Sequence, residues 1–268
     1  MEELIPQRLS ALGHTTRLAV FRLLMRRYPD CVPAGDISAA LNLRPSTLSS
    51  HLSTLVQAGL ILQSREGTSV RYTIDLAAVR GTFDVLLFDC CRGRPELCTP
   101  DQALAKTSGK LNVLFVCTGN SARSIFAETL LRDAGGDHFH VYSAGTKPFS
   151  TLNPHALVHL QTKGHDVSTL KSQHIDDFRG TQAPVMDFVF TVCDNAANQD
   201  STPWTGQPIS AHWGIEDPVA TTGSDAEISK AFQTAYDTLR TRIHAFAALP
   251  LRELDRISLQ KAVDELAH

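Results

Sequence analysis

Apolar residues in the first part of the chain recur at close to helical spacing, at Leu9, Leu12, Leu18, Val20, Phe21, Leu23 and Leu24. They predict two short helices, with Thr15 and Thr16 offering hydroxyls to cap the second. Further helices are expected at about 34–41 and 45–58, the latter opened by Pro45, whose fixed φ suits a first turn. Strand-like stretches at 60–64 and 69–74, hinged at Arg65-Glu66-Gly67-Thr68, read as a hairpin, and a last helix runs from about Leu76 to Cys91. The pattern then breaks. Thr99 to Lys110 is polar and aperiodic, punctuated by Pro100 and Gly109. Beyond it, apolar runs near 111–116, 139–143, 187–192 and 208–211 alternate with helical stretches near 124–134, 154–163 and 224–248. That alternation predicts an α/β domain, a four-stranded parallel sheet covered by helices on both faces. The tail from Leu251 to Leu266 reads as an amphipathic helix, with Leu254, Ile257, Leu259, Val263 and Leu266 packing on its own domain or on a partner subunit.

Two domains follow: a mainly α unit over 1–98, a linker over 99–110 and an α/β unit over 111–268. The charge divides at the same place. Residues 1–100 hold 11 Lys+Arg, all of them Arg, against 9 Asp+Glu; residues 101–268 hold 14 against 19. The basic first part is compatible with a nucleic-acid partner. No apolar run approaches the ~20 residues that span a bilayer, so no membrane association is expected. Met1-Glu2-Glu3-Leu4 does not open a secretory signal, which points to the cytoplasm. In a reducing compartment the cysteines, at 31, 90, 91, 98, 117 and 193, are expected as ligands or catalysts rather than disulfides.

The most informative chemistry is Cys117-Thr118-Gly119-Asn120-Ser121-Ala122-Arg123-Ser124, between an apolar strand and a helix. A helix N-terminus gathers unpaired N–H donors and partial positive charge. The same field stabilises a thiolate, giving an expected Cys117 pKa of roughly 3.5–7.5. Arg123 adds a planar fork that fits tetrahedral oxyanions. The run predicts a nucleophilic cysteine acting on phosphate or something of its shape.

In the first unit, two short helices, a turn and a basic hairpin are the parts of a winged helix-turn-helix. The second helix of the pair would present Ser46, Thr47, Ser49, Ser50 and His51 to DNA, and the hairpin Arg65 and Arg71. A small helical domain whose serines face water fits the composition equally well. Cys90, Cys91 and Cys98 could converge on a soft ion such as trivalent arsenic or antimony, with zinc less suited because no histidine completes a tetrahedral set. The alternative is a buried apolar role for the vicinal pair. Cys31 is expected to be structural.

Residues 9–80 resemble the arsenic-responsive repressor family (ArsR/SmtB), through Leu12-Gly13-His14-Thr15-Thr16-Arg17-Leu18 and the run from Ser49 to Ile61. The resemblance implies a homodimeric repressor that leaves operator DNA when a thiophilic ion, As(III), binds. Some members carry the inducer site before the recognition helix; here that region is Ala34-Gly35-Asp36-Ile37-Ser38, without cysteine. Others place a vicinal cysteine pair and a third cysteine at the end of the domain, as this chain does.

Residues 111–249 resemble the low-molecular-weight phosphatase fold, and within it the arsenate reductases, through the Cys117–Ser124 loop, Ser143-Ala144-Gly145-Thr146, Phe190-Thr191-Val192-Cys193-Asp194 and the run Ala211-His212-Trp213-Gly214-Ile215-Glu216-Asp217-Pro218. Val219 and Ala220 stand where the phosphatases carry an aromatic pair, so an aromatic wall is expected to be missing. The resemblance implies attack by Cys117 on arsenate, oxyanion binding by the backbone of residues 118–123 and Arg123, Asp217 as general acid, Ser124 bonding the thiolate, Asn120 shaping the loop, and Cys193 resolving the adduct. Reductases linked to thioredoxin use a further cysteine where this chain has Asp200, and often another where it has Ala122. Glutathione with glutaredoxin, thioredoxin or another external thiol is therefore the expected electron source, with no tightly bound cofactor. The implied function is a repressor fused to an arsenate reductase; the alternatives are a regulator with a non-catalytic oxyanion-sensing domain, or a phosphatase fused to a DNA-binding domain.

Overall fold

The helical period of the first ninety residues becomes α1 (Ile5–Leu12), α2 (Thr15–Arg27), α3 (Ala34–Leu41), α4 (Pro45–Gln57) and α5 (Leu76–Asp84), the last continuing into a π-helical turn, Val85–Cys90. A computed structural model describes residues 4–91, 109–180, 182–199 and 204–267. The chain divides into two units, Met1–Ala103 and Leu104–His268. In the first, the strands β1 (Val32–Pro33), β2 (Ile61–Glu66) and β3 (Ser69–Ile74) form an antiparallel sheet in the order β1-β3-β2. The expected hairpin forms, but its turn is Gly67-Thr68 only, because Arg65 and Glu66 pair with Val70 and Ser69 as the end of β2; β1 is too short for a periodic signal.

Leu48, Leu52 and Leu55 bury one face of α4 against Val20, Leu23, Leu24 and Ile37. Pro45 opens that helix, which has no side-chain cap. The expected threonine cap of α2 is corrected: His14 is the N-cap, its Nδ1 accepting from Thr16 N at 3.1 Å, because α2 already begins at Thr15. Buried Arg8 ties three elements together. Its Nε donates to Ala58 O at the end of α4, and its Nη1 donates to Ala78 O and Thr82 Oγ1 of α5.

The second unit contains a four-stranded parallel sheet in the order β5-β4-β6-β7, built from β4 (Leu111–Cys117), β5 (Phe139–Gly145), β6 (Phe188–Thr191) and β7 (Ile209–His212). Its helices are α6 (Arg123–Gly135), α7 (Pro154–Thr162), α8 (Asp194–Gln199), α9 (Asp225–Ala247) and α10 (Arg256–Glu265). The run Val113–Cys117 is buried throughout, as a strand flanked by partners on both sides requires. Aromatic rings fill the core around it: Phe190 stacks on Trp213 at 4.1 Å between centroids, and Phe246 meets both edge-on. The tail helix packs on its own unit. Leu259 and Val263 are fully buried, and Trp213 Nε1 donates to Val263 O. No helix among the described residues is long and apolar enough to cross a membrane.

Candidate active site

β4 ends at Cys117, and α6 begins at Arg123, so the five residues between must turn sharply at the carboxyl edge of the sheet, where doubly wound folds bind ligands. Two features permit the turn. Asn120 adopts a left-handed φ of 44°. Gly145 lets the end of β5 approach so closely that a Cβ there would lie 2.6 Å from Thr118 O.

The loop's polarity can be worked out from one backbone group. Gln173 N can only donate, and it lies 2.7 Å from Asn120 Oδ1, which fixes that atom as the oxygen. Asn120 Nδ2 therefore donates both its protons, to Ser124 Oγ at 2.9 Å and to Ser143 Oγ at 2.8 Å. Ser143 in turn donates to Glu128 Oε2 at 2.6 Å. Ser124 has its own proton left for Cys117 Sγ, 3.0 Å away, and Asn120 N donates to the same sulfur at 3.1 Å. Two donors thus point at the thiol, the arrangement that favours a thiolate.

Burial works against them. Cys117 is 3% exposed, and desolvation pushes its thiol above the usual range, while the hydrogen bond from Ser124 and the Arg123 charge pull it down and nearby Cys193 pushes it up. The depressed value expected from the helix N-terminus is corrected: the sulfur is wholly enclosed, which spacing along the chain cannot reveal. Burial likewise raises the carboxyl of Glu128, against the pull of Ser143, Arg132 and Lys171.

Arg123 Nη2 donates to Asp217 Oδ2 at 2.7 Å and Nη1 to Ile215 O at 3.3 Å, so the fork is oriented by the segment that carries the candidate acid. Asp217 also accepts from Val219 N. Cys193, 3% exposed, follows β6, and its Sγ lies 3.4 Å from Thr118 Oγ1. Cys117, Thr118, Asn120, Arg123, Ser124, Asp217 and Cys193 are thus brought together. Gly119, Ser121 and Ala122 complete the loop, Ser121 O accepting from Asn153 N.

Val219 and Ala220 follow Asp217-Pro218, so no aromatic pair stands there, but an aromatic ring reaches the loop from another segment. Phe149, 59% exposed, lies over Gly119, where a Cβ would fall 2.5 Å from the ring, and Phe149 N donates to Gly119 O at 2.9 Å. Nothing in the sequence signals it, because a loop after β5 returns it to the site. Ser143 and Glu128 were equally invisible as parts of the thiol network.

In the first unit Ser46, Thr47, Ser49 and Ser50 are exposed on α4, and His51 is half-buried against His14, 4.8 Å between ring centroids. Burial, His14 and Arg17 lower the pKa of His51. Arg65 is exposed, whereas Arg71 pairs with Glu66 at 3.0 Å. Cys90 is an exposed free thiol, Cys91 is disulfide-bonded, and Cys98 lies outside the described residues, as does Asp200. No cluster of three or more metal-ligating side chains occurs among the described residues. Cys31 is exposed rather than packed.

The second unit is similar to known proteins. An arsenate reductase of Bacillus licheniformis is 37% identical over 139 residues, 52% of this chain and 96% of the relative. That of Bacillus subtilis is 37% identical over 136 residues, 50% of this chain and 94% of the relative. A solved arsenate reductase in its oxidized state aligns with 26% identity and a TM-score of 0.42, over 51% of this chain and 96% of that one. Residues 12–63 match the helix-turn-helix domain model. Residues 112–260, which hold the whole thiol site, match the low molecular weight phosphotyrosine protein phosphatase model, and the chain belongs to that family.

Proposed function

We propose that the chain is a bifunctional arsenic-resistance protein, an arsenate reductase joined to an As(III)-responsive repressor. One observation carries the enzymatic half: a second buried thiol, Cys193, stands at the rim of an oxyanion cradle, beside Thr118. A phosphatase has no use for it. The identity to arsenate reductases supports the same reading.

In this mechanism the Cys117 thiolate attacks arsenic, and Arg123 with the loop amides carries the charge on the arsenate oxygens. Asp217, beside Arg123, protonates the departing oxygen, which leaves as water. Cys193 then attacks the Cys117 sulfur; the S–As bond breaks, its electron pair stays on arsenic as arsenite, and a Cys117–Cys193 disulfide forms. An external thiol, with glutaredoxin or thioredoxin, restores the dithiol. The test is arsenite release from arsenate with each donor. Arsenite from wild type, none from Cys117→Ser and a disulfide absent in Cys193→Ser are expected; no arsenite with any donor would sink the reading.

Residues 1–98 form the regulatory half of this proposal, 99–110 the joint and 111–268 the reductase. A homodimer binds operator DNA through Ser46, Thr47, Ser49, Ser50, His51 and Arg65, with Arg71 buttressing the hairpin through Glu66. As(III) binds Cys90, Cys91 and Cys98 in the reduced protein and releases the DNA. Operator binding that is unchanged by arsenite after reduction of Cys91 would overturn this half.

The Phe149 ring over Gly119 favours a second reading, an aryl phosphatase. Turnover of p-nitrophenyl phosphate much faster than arsenate, lost in Phe149→Ala, would establish it in place of the reductase.

A further inference from the structure

Cys193 sits between two residues that are both held by one buried histidine. β6 and β7 run parallel with Thr191 opposite His212. The His212 side chain, 2% exposed, places Nδ1 2.8 Å from Thr191 Oγ1 and Nε2 3.2 Å from Asp194 Oδ1. A carboxylate accepts only, so Nε2 carries a proton and donates to Asp194. Thr191 ends the strand before Cys193, and Asp194 opens the helix after it. The backbone adds Trp213 N to Thr191 O at 2.8 Å and Ile215 N to Val192 O at 3.4 Å. Gly214 leaves room for the contact, since a Cβ there would fall 2.6 Å from His212 Nε2 and 3.1 Å from Asp194 Oδ1.

We propose that His212 is a positioning residue for the second thiol, bracketing Cys193 so that its sulfur stays within reach of Cys117. Closing a disulfide requires Cβ atoms about 3.8 Å apart and a torsion near ±90°. A segment between a strand end and a short helix does not hold that geometry by itself. His212 holds it from a neighbouring strand, through contacts on the segment that carries Cys193.

The inference rests on the reductase reading, and the experiment separates the two. In the first arm, the full-length reduced protein is treated with diamide, which takes two electrons and two protons from the paired thiols and becomes a hydrazine. The rate of the Cys117–Cys193 disulfide is followed by mass spectrometry, and iodoacetamide alkylation, read on the peptide that holds Cys117, reports that thiol separately from the exposed Cys31 and Cys90. Relative to wild type, His212→Asn and Asp194→Ala slow the disulfide about tenfold or more, while Cys117 alkylation stays within about twofold. The Asp194 side chain is 56% exposed, so its replacement tests the bracket even where a His212 variant fails to fold. His212→Gln, whose amide nitrogen stands in for Nε2, retains more of the rate than His212→Asn. Wild-type disulfide rates in Asp194→Ala, or alkylation falling in parallel with disulfide formation, would overturn the proposal. The second arm repeats the series with arsenate: a wild type that makes no arsenite, yet shows the His212 dependence with diamide, overturns the reductase reading and leaves the positioning role standing.

Discussion

Ser124 reaches the Cys117 sulfur with a proton that Asn120 leaves it no other place to use. Removing that donor in Ser124→Ala leaves burial less opposed. The pH at which Cys117 becomes reactive moves upward, and alkylation at neutral pH slows about tenfold for each unit of that shift. An unchanged alkylation profile would show that Asn120 N alone sets the thiol. Glu128, at the far end of the network, makes the opposite kind of test. Its folded pKa is raised above 4.5 by burial, so its favourable contribution is fully present below that value and is lost as pH rises through the folded value. Glu128→Gln removes this loss: the stability of the variant relative to wild type should improve between pH 4 and pH 8, read from melting temperatures. A constant difference across that range would contradict the shift. The convergence of Cys117, Arg123 and Asp217 was legible because they lie in a contiguous run or a dipeptide that the sequence singles out. Phe149, Ser143 and Glu128 were not, because their roles depend on which loop or helix face returns to the site.

Among the elements, α1 depends on a single side chain more than its length suggests. An eight-residue helix is marginal by itself, and this one is tied down by Arg8, whose guanidinium meets Ala58 O, Ala78 O and Thr82 Oγ1. Arg8→Ala leaves those acceptors short of a buried donor and should cost about 2–4 kcal/mol, measured as a lowered denaturant midpoint of the first unit. An unchanged midpoint would show that apolar contacts suffice. Hydrophobic spacing located nearly every helix and strand, since each is a run whose apolar positions share a face. It mistook the cap of α2, where His14 does the work assigned to threonine hydroxyls, because an imidazole nitrogen carries no sequence signature as an acceptor. It also passed over the six-residue α8, which is too short for a period to emerge.

At the scale of the molecule, two hydrophobic clusters share no residue among the described ones: one gathers Val20, Leu23, Leu52 and Ile74, the other Phe115, Phe190, Trp213 and Phe246. Each unit therefore has the means to melt on its own. Calorimetry should resolve two transitions, with Arg8→Ala lowering one and Glu128→Gln altering the other. A single transition displaced by both variants would mean that the units unfold together. The sequence places the joint at Thr99–Lys110 by a loss of periodicity, and most of that stretch lies outside the described residues.

The backbone amide of residue 173 settles which way the Asn120 side chain faces, and through it which way every hydroxyl proton of the thiol network points. Every amino acid except proline supplies that amide. In a saturation library, position 173 should thus tolerate wide chemical variety while rejecting proline, whereas position 120 should tolerate almost nothing. The site's electrical sense would then be inherited through main chain rather than side-chain identity, robust to drift at the residue that dictates it.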